Sequence, residues 1–159
     1  MKQFAVYINP NLDTGPIFES LAELSRRLGL KFYGTQAQRD IIPAHLECCD
    51  PDQGKMPQID CVLVFGGDGT ILRAKTIAIL TGAPILGINL GWLGFLSETT
   101  FKELESSIQS LINGKYKLIN RMLLNCKLRR KGKVVFEGLA LNDAVIYKAE
   151  TPRMINIRT

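Results

Sequence analysis

The sequence is poor in the residues that many enzyme chemistries draw on. It holds one histidine and one tryptophan in 159 residues, so a mechanism that needs two imidazoles is excluded. The single histidine, His45, stands in an unpatterned stretch and reads as structural or solvated. The four cysteines, Cys48, Cys49, Cys61 and Cys126, show no C-x-x-C spacing. The adjacent pair at 48–49 suits neither an ordinary disulfide nor a zinc site. A reducing, cytoplasmic setting is the simplest context for them. No apolar run approaches the ~20 residues that span a bilayer. The opening stretch MKQFAVYINP lacks the cleavage site of a signal peptide, so no membrane partner is expected.

What is present points to a globular chain. Hydrophobic residues make up 46% of the sequence, within the range of ordinary soluble domains. The net charge of +5 is compatible with an anionic ligand and says little about nucleic acid. The basic run Lys127, Arg129, Arg130, Lys131 and Lys133 reads as a solvated hairpin tip. It lacks the interleaved aromatic platform of single-strand binders, so no nucleic-acid partner is expected.

Apolar periodicity orders the chain. Residues 2–9 read as a buried strand closed by Asn9-Pro10. Pro16 suits a first helical position, and Ile17, Leu21, Leu24 and Leu28 recur at helical spacing up to Gly29. Residues 30–33 allow a short second strand. Residues 36–58, with Pro43, Pro51 and Pro57, read as irregular with room for one short helix. IDCVLVF at 59–65 is a strand apolar on both faces, as in a covered parallel sheet. A helix follows over Ile71 to Leu80, closed by Gly82, and PILGIN at 84–89 is a further strand. Thr100 to Glu103 forms a capping box that opens a helix through Ile112, ended by Gly114. The fold class expected from this order is α/β, an open Rossmann-like parallel layer fold over residues 1–115.

After Tyr116 the character changes. Residues 121–130 and 133–147 read as strands around a Lys131-Gly132 turn, and residues 154–158 begin another. This is the start of an all-β second domain over 116–159, with too few strands to stand as an independent sheet domain; the expectation is a truncated chain.

The stretch VFGGDGT at 64–70 carries the chemistry. Glycines between a buried strand and a helix expose backbone N–H groups, and the helix N-terminus adds positive potential, which together cradle phosphate. The stretch matches neither G-x-G-x-x-G nor the lysine-containing P-loop. The plainer reading is a tight connection in which glycine only permits unusual backbone angles. Asp68 in its midst is costly without a task. Phosphoryl transfer to an alcohol supplies one, because a carboxylate there can orient the hydroxyl and accept its proton. A solvated helix-capping Asp is the alternative.

Three segments together resemble the NAD kinase family: GGDGTILRA at 66–74, GINLGWLGFLSE at 87–98 and ALNDAVI at 140–146. GGDGT by itself is shared with diacylglycerol- and sphingolipid-type kinases and with phosphofructokinases. The resemblance implies transfer of a phosphoryl group from ATP or polyphosphate to the 2′-hydroxyl of the adenosine ribose of NAD, with Mg²⁺ or another divalent cation. It implies Asp68 as proton acceptor and Gly66, Gly67, Gly69 and Thr70 against the dinucleotide. Arg73 corresponds to a phosphate-contacting base, Asn89 and Phe95 to the second loop of the site, and Asn142 and Asp143 to holders of adenine and ribose hydroxyls. Asp143 stands where the family more often has Glu. Arg153 matches a position that is often basic near the ligand. Trp92 reads equally as packing or pocket. No residue is assigned to a metal. The resemblance further implies a homodimer or homotetramer, and a Gly/Thr/Ser-rich loop that these residues do not contain. The alternatives left open are a lipid kinase sharing GGDGT and a nucleotide-binding fragment without turnover.

Overall fold

Strand CVLVF, from Cys61 to Phe65, is buried at every residue, which requires cover on both faces and neighbours on both edges. The computed structural model, which describes residues 1–50, 57–91 and 94–145, shows both. The chain divides into two compact units, Met1–Leu118 and Ile119–Thr159.

The first unit runs β1 (Gln3–Ile8), α1 (Gly15–Leu28), β2 (Lys31–Thr35), β3 (Cys48–Cys49), β4 (Cys61–Phe65), α2 (Asp68–Thr81), β5 (Ile85–Asn89), β6 (Thr99–Thr100) and α3 (Leu104–Ile112). All pairings are parallel, in the order β3-β2-β1-β4-β5-β6. Side chains alternate across the pleat. Phe4, Val6, Ile8, Leu63, Phe65 and Ile88 face α1 and α3, where Ile17, Leu21, Leu24, Leu104, Ile108 and Leu111 close one core. Ala5, Val62 and Val64 face α2, where Ile71, Ala74 and Ile77 close the other. The expected α/β class with an open parallel sheet is therefore the fold observed. Gly29 (φ 64°) and Gly82 (φ 69°) end α1 and α2 in the left-handed conformation, as the sequence predicts.

The stretch that reads as irregular holds more order than its sequence suggests. A single 3₁₀ turn at Gln36–Gln38 leads to β3, an edge strand of two residues. The pairing of β1 with β2 covers only Gln3 to Ala5. Beyond it, the buried Gln38 side chain accepts from the Ile8 N–H at 2.9 Å and donates to the Ile8 carbonyl, standing in for a strand. The helix expected from Thr100 begins with one 3₁₀ turn, Phe101–Glu103, before α3. The Glu103 carboxylate accepts from the Thr100 hydroxyl at 2.8 Å and its N–H at 3.2 Å.

The second unit, in its described residues, is a hairpin of β7 (Leu124–Arg130) and β8 (Lys133–Ala140). Lys131 (φ 50°) and Gly132 (φ 79°) make the connection, with the two positive angles of a tight hairpin turn. Leu128 pairs Phe136 and Arg129 pairs Val134, so Val135 is the extra residue of a bulge. Both strands are shorter than expected. The register ends at Leu124–Ala140, and Asn142 and Asp143, which the sequence reading puts within an apolar strand, fall beyond it. Among the described residues no strand pairs with them. The strand expected from residue 154 lies outside the described residues.

Candidate active site

In chain order β1 leads away through β2 to β3, and β4 leads the opposite way through β5 to β6. The order reverses between β1 and β4. In open parallel sheets, ligands enter the crevice at the carboxyl ends of the strands flanking such a reversal. The two ends are held together there. The Asn9 N–H donates to the Phe65 carbonyl at 2.9 Å, and the Gly66 N–H donates to the Ile88 carbonyl at 2.9 Å. GGDGT begins at this point.

Its glycines are not equivalent. Gly66 has φ +146°, and a Cβ there would lie 2.5 Å from Thr70 Oγ1 and 3.1 Å from Asn9 Cβ. Backbone and packing both demand glycine at that position. Gly67 has φ −87° and ψ −171°, angles that any residue adopts, and a Cβ on Gly67 or Gly69 would meet nothing within 4 Å. Folding gives no reason for glycine at either position. Both leave the main chain open on that side.

The start of α2 is open. No side chain caps it; the Thr70 and Ile71 N–H groups donate to the Gly67 carbonyl at 2.9 and 3.3 Å, which leaves the N–H groups of Asp68 and Gly69 and the positive end of the dipole at the helix start. Thr70 is buried at 2% exposure, beneath Gly66. Arg73 is exposed on the same helix.

Asp68, first residue of α2, is gripped by the second loop. Its Oδ2 accepts from the Phe95 N–H at 3.0 Å and its Oδ1 from the Leu96 N–H at 3.0 Å. A Cβ on Gly94 would overlap the carboxylate. The loop is itself pinned. The Ser97 hydroxyl accepts from the Gly94 N–H at 2.9 Å and from Asn89 Nδ2 at 3.4 Å, while Asn89 Oδ1 accepts from the Gly91 N–H at 2.8 Å. Asn89 and Ser97 are both buried. The Phe95 side chain, by contrast, is 95% exposed.

Thus Gly66, Gly67, Asp68, Gly69, Thr70, Asn89 and Phe95 gather at one place, with Arg73 on the helix that leaves it. Asn142 and Asp143 are exposed in the second unit. Arg153 and Trp92 lie outside the described residues. Sequence reasoning missed Ser97 and the amides of residues 94–96. The one available signal was a small hydroxyl residue within an otherwise apolar and glycine-rich loop.

Two of the four cysteines are disarmed by burial. Burial pushes the Cys61 thiol up to about 12 and the Cys49 thiol up to about 11, so neither is a thiolate nucleophile near neutrality. Among the described residues no three His, Cys, Asp or Glu side chains cluster to hold a metal ion. No described helix is long and apolar enough to cross a membrane.

Fold and loop define a class: an open, doubly wound α/β domain with an acid-bearing glycine loop at its switch point. Residues 50–116 match the family model described as the ATP-NAD kinase N-terminal domain. Across the whole chain it is similar, at 33% identity, to an NAD kinase of Ruminiclostridium cellulolyticum, covering 55% of that protein. Over 64% of the chain it is 43% identical to an NAD kinase of Desulforamulus reducens, covering 35% of that protein. The fold also matches a solved yeast NADH kinase complexed with NADH, with TM-score 0.70 and 23% identity over 89% of this chain and 47% of that one. The chain belongs to the NAD kinase family. It spans about half the length, or less, of these relatives.

Proposed function

We propose that the protein transfers the terminal phosphoryl group of ATP, or of polyphosphate, to the 2′-hydroxyl of the adenosine ribose of NAD. The observation that carries this reading is the pair Gly67 and Gly69, glycine without a folding reason, beside an ionisable side chain at a helix start. Family membership supplies the substrate class.

In this reading the dinucleotide lies against Gly67 and Gly69, with its phosphates near the first-turn N–H groups of α2. Asp68 faces the ribose. Its carboxylate takes the hydroxyl proton as the ribose oxygen bonds to the incoming phosphorus and the bond to the departing ADP, or to the shortened polyphosphate, breaks. Two of its lone pairs are held by Phe95 and Leu96, and a carboxylate retains further acceptor sites for the sugar. Phe95 supplies an exposed aromatic face to the base and Arg73 adds positive charge; for Asn142, Asp143 and Arg153 the contact with the adenosine half is what the family resemblance implies. A divalent cation fits a site with one carboxylate if nucleotide phosphates hold most of its coordination, as Mg²⁺ commonly does. Bound there, it neutralises phosphate charge. The cytoplasm and a homodimer or homotetramer belong to the same proposal.

The test is to incubate the purified protein with ATP, Mg²⁺ and NAD and to follow NADP with an NADP-specific dehydrogenase. NADP formation is expected, and Asp68→Asn should lower turnover by roughly 10²–10⁴-fold with dinucleotide affinity retained. Phosphorylation of a lipid alcohol in place of NAD overturns the proposal. NAD binding without NADP leaves a binding module, and near-full activity in Asp68→Asn removes that residue from the chemistry.

A further inference from the structure

We infer that Ser97 is a positioning residue for Asp68, acting through the loop that grips the carboxylate. The inference rests on the proposed role of Asp68 and adds a residue that touches neither substrate nor phosphate.

An aspartate in the first turn of a helix has several ways to satisfy its charge, among them solvent and the helix's own N–H groups. Here both oxygens are instead committed to consecutive amides of one loop, Phe95 to Oδ2 and Leu96 to Oδ1. That commitment fixes the plane of the carboxylate as long as the loop is fixed. Three features fix it. Ser97 is 4% exposed, and its hydroxyl gathers the Gly94 N–H at 2.9 Å and Asn89 Nδ2 at 3.4 Å. Gly94 lacks the Cβ that would displace the carboxylate. Gly87 on β5 lacks the Cβ that would come within 2.9 Å of the Ser97 Cα and 3.3 Å of the Leu96 carbonyl oxygen. The loop thus lies directly on β5, with the serine hydroxyl as the knot between Asn89 at the strand end and Gly94 at the loop's turn. Removing the hydroxyl leaves the Gly94 N–H and Asn89 Nδ2 without this acceptor and frees the segment that aims Asp68. A displacement of about 1 Å at a reacting group can cost on the order of 10²-fold in rate.

The test compares the parent chain with Ser97→Ala and Ser97→Thr. Amide exchange followed by NMR reads the grip directly. The Phe95 and Leu96 N–H groups should be protected in the parent, exchange about tenfold faster or more in Ser97→Ala, and recover in Ser97→Thr. NADP formation reads the consequence: kcat should fall about tenfold in Ser97→Ala, with the dissociation constant for NAD within about twofold, and Ser97→Thr should restore it. A purely structural serine would lower the melting temperature and leave kcat per folded molecule unchanged. That result, unchanged exchange, or a kcat loss that tracks NAD affinity or persists in Ser97→Thr, overturns the inference. If the parent itself makes no NADP, the phosphotransfer reading fails, and the exchange comparison still decides whether Ser97 holds the loop on Asp68.

Discussion

Two apolar strands meet opposite fates in this chain. β4 is at most 1% exposed at each of its five residues, whereas in β8 Val134, Val135, Phe136 and Leu139 are 40–59% exposed. The difference is one of neighbours. β4 is paired along its length with β1 on one side and β5 on the other, and helices cover both faces. β8 has β7 alone. On one face of that hairpin Leu124, Cys126 and Leu128 stand opposite Ala140, Gly138 and Phe136. Such cross-strand pairs contribute roughly 0.2–1 kcal/mol each, too little to make a two-stranded sheet more than marginal in water. Apolar composition makes a strand; only tertiary cover buries it.

The contrast is broken most sharply by matched truncations. Leu63→Ala in β4 should lower unfolding free energy by about 2–5 kcal/mol, because it removes a fully enclosed side chain and leaves a cavity. Leu128→Ala in β7 should cost under about 1 kcal/mol. Urea denaturation of the two variants measures both, and equal losses would mean that the hairpin face is covered in solution.

A smaller effect sharpens the picture inside the first unit, between a glycine demanded by the fold and one left free. Gly66→Ala should destabilise by about 1–3 kcal/mol, since its backbone angle and its contact with Thr70 both resist a side chain. Gly67→Ser should hold stability constant or raise it by roughly a few tenths of a kcal/mol, because serine caps a helix slightly better than glycine. The same substitution should weaken nucleotide binding on the order of tenfold, about 1.4 kcal/mol. Calorimetric titration with NAD checks this. Unaltered affinity in Gly67→Ser would remove the glycine loop from the binding surface.

The smallest effect compares the charges of the two units across pH. In the first unit Asp60 is partly buried, which raises its pKa, but the Lys2 and Gln3 N–H groups and the nearby N-terminal amine outweigh this and hold it below 3.8. A depressed folded-state value means stability that is present above the ordinary value and lost as pH falls through the lower one. Asp60→Asn should therefore cost about 1 kcal/mol at neutral pH, and the gap to the parent should close on acidification below 3.8. The exposed Lys127–Glu137 pair of the hairpin, at 2.9 Å, should contribute almost nothing. Thermal melts at pH 7 and pH 3 separate the two cases.

Much of the α/β unit was legible. An apolar run with no polar alternation predicted β4 as a covered strand, and glycines marked the ends of α1 and α2. β3 and β6 were not legible, because two residues carry no period and their pairing depends on what lies beside them. Nor was the part played by Gln38, a polar residue whose burial follows from an unfilled edge of β1. In the site, GGDGT was readable as a phosphate-type loop after a strand and before a helix. The division of its glycines into Gly66, required by packing, and Gly67 and Gly69, required by nothing in the fold, was not readable.

By itself the sequence determined the buried strands, the helix stops and the placing of an acidic glycine loop at a strand's end. Each of these follows from local chemistry: the length of an apolar run, helical spacing, and the freedom of a residue without a Cβ. The tertiary structure alone decided what holds Asp68. Its partners are main-chain amides 27 and 28 positions away, and every residue except proline has such an amide, so no residue type announces it. Only the register of β4 on β5, and the loop that β5 carries, bring those amides to the carboxylate.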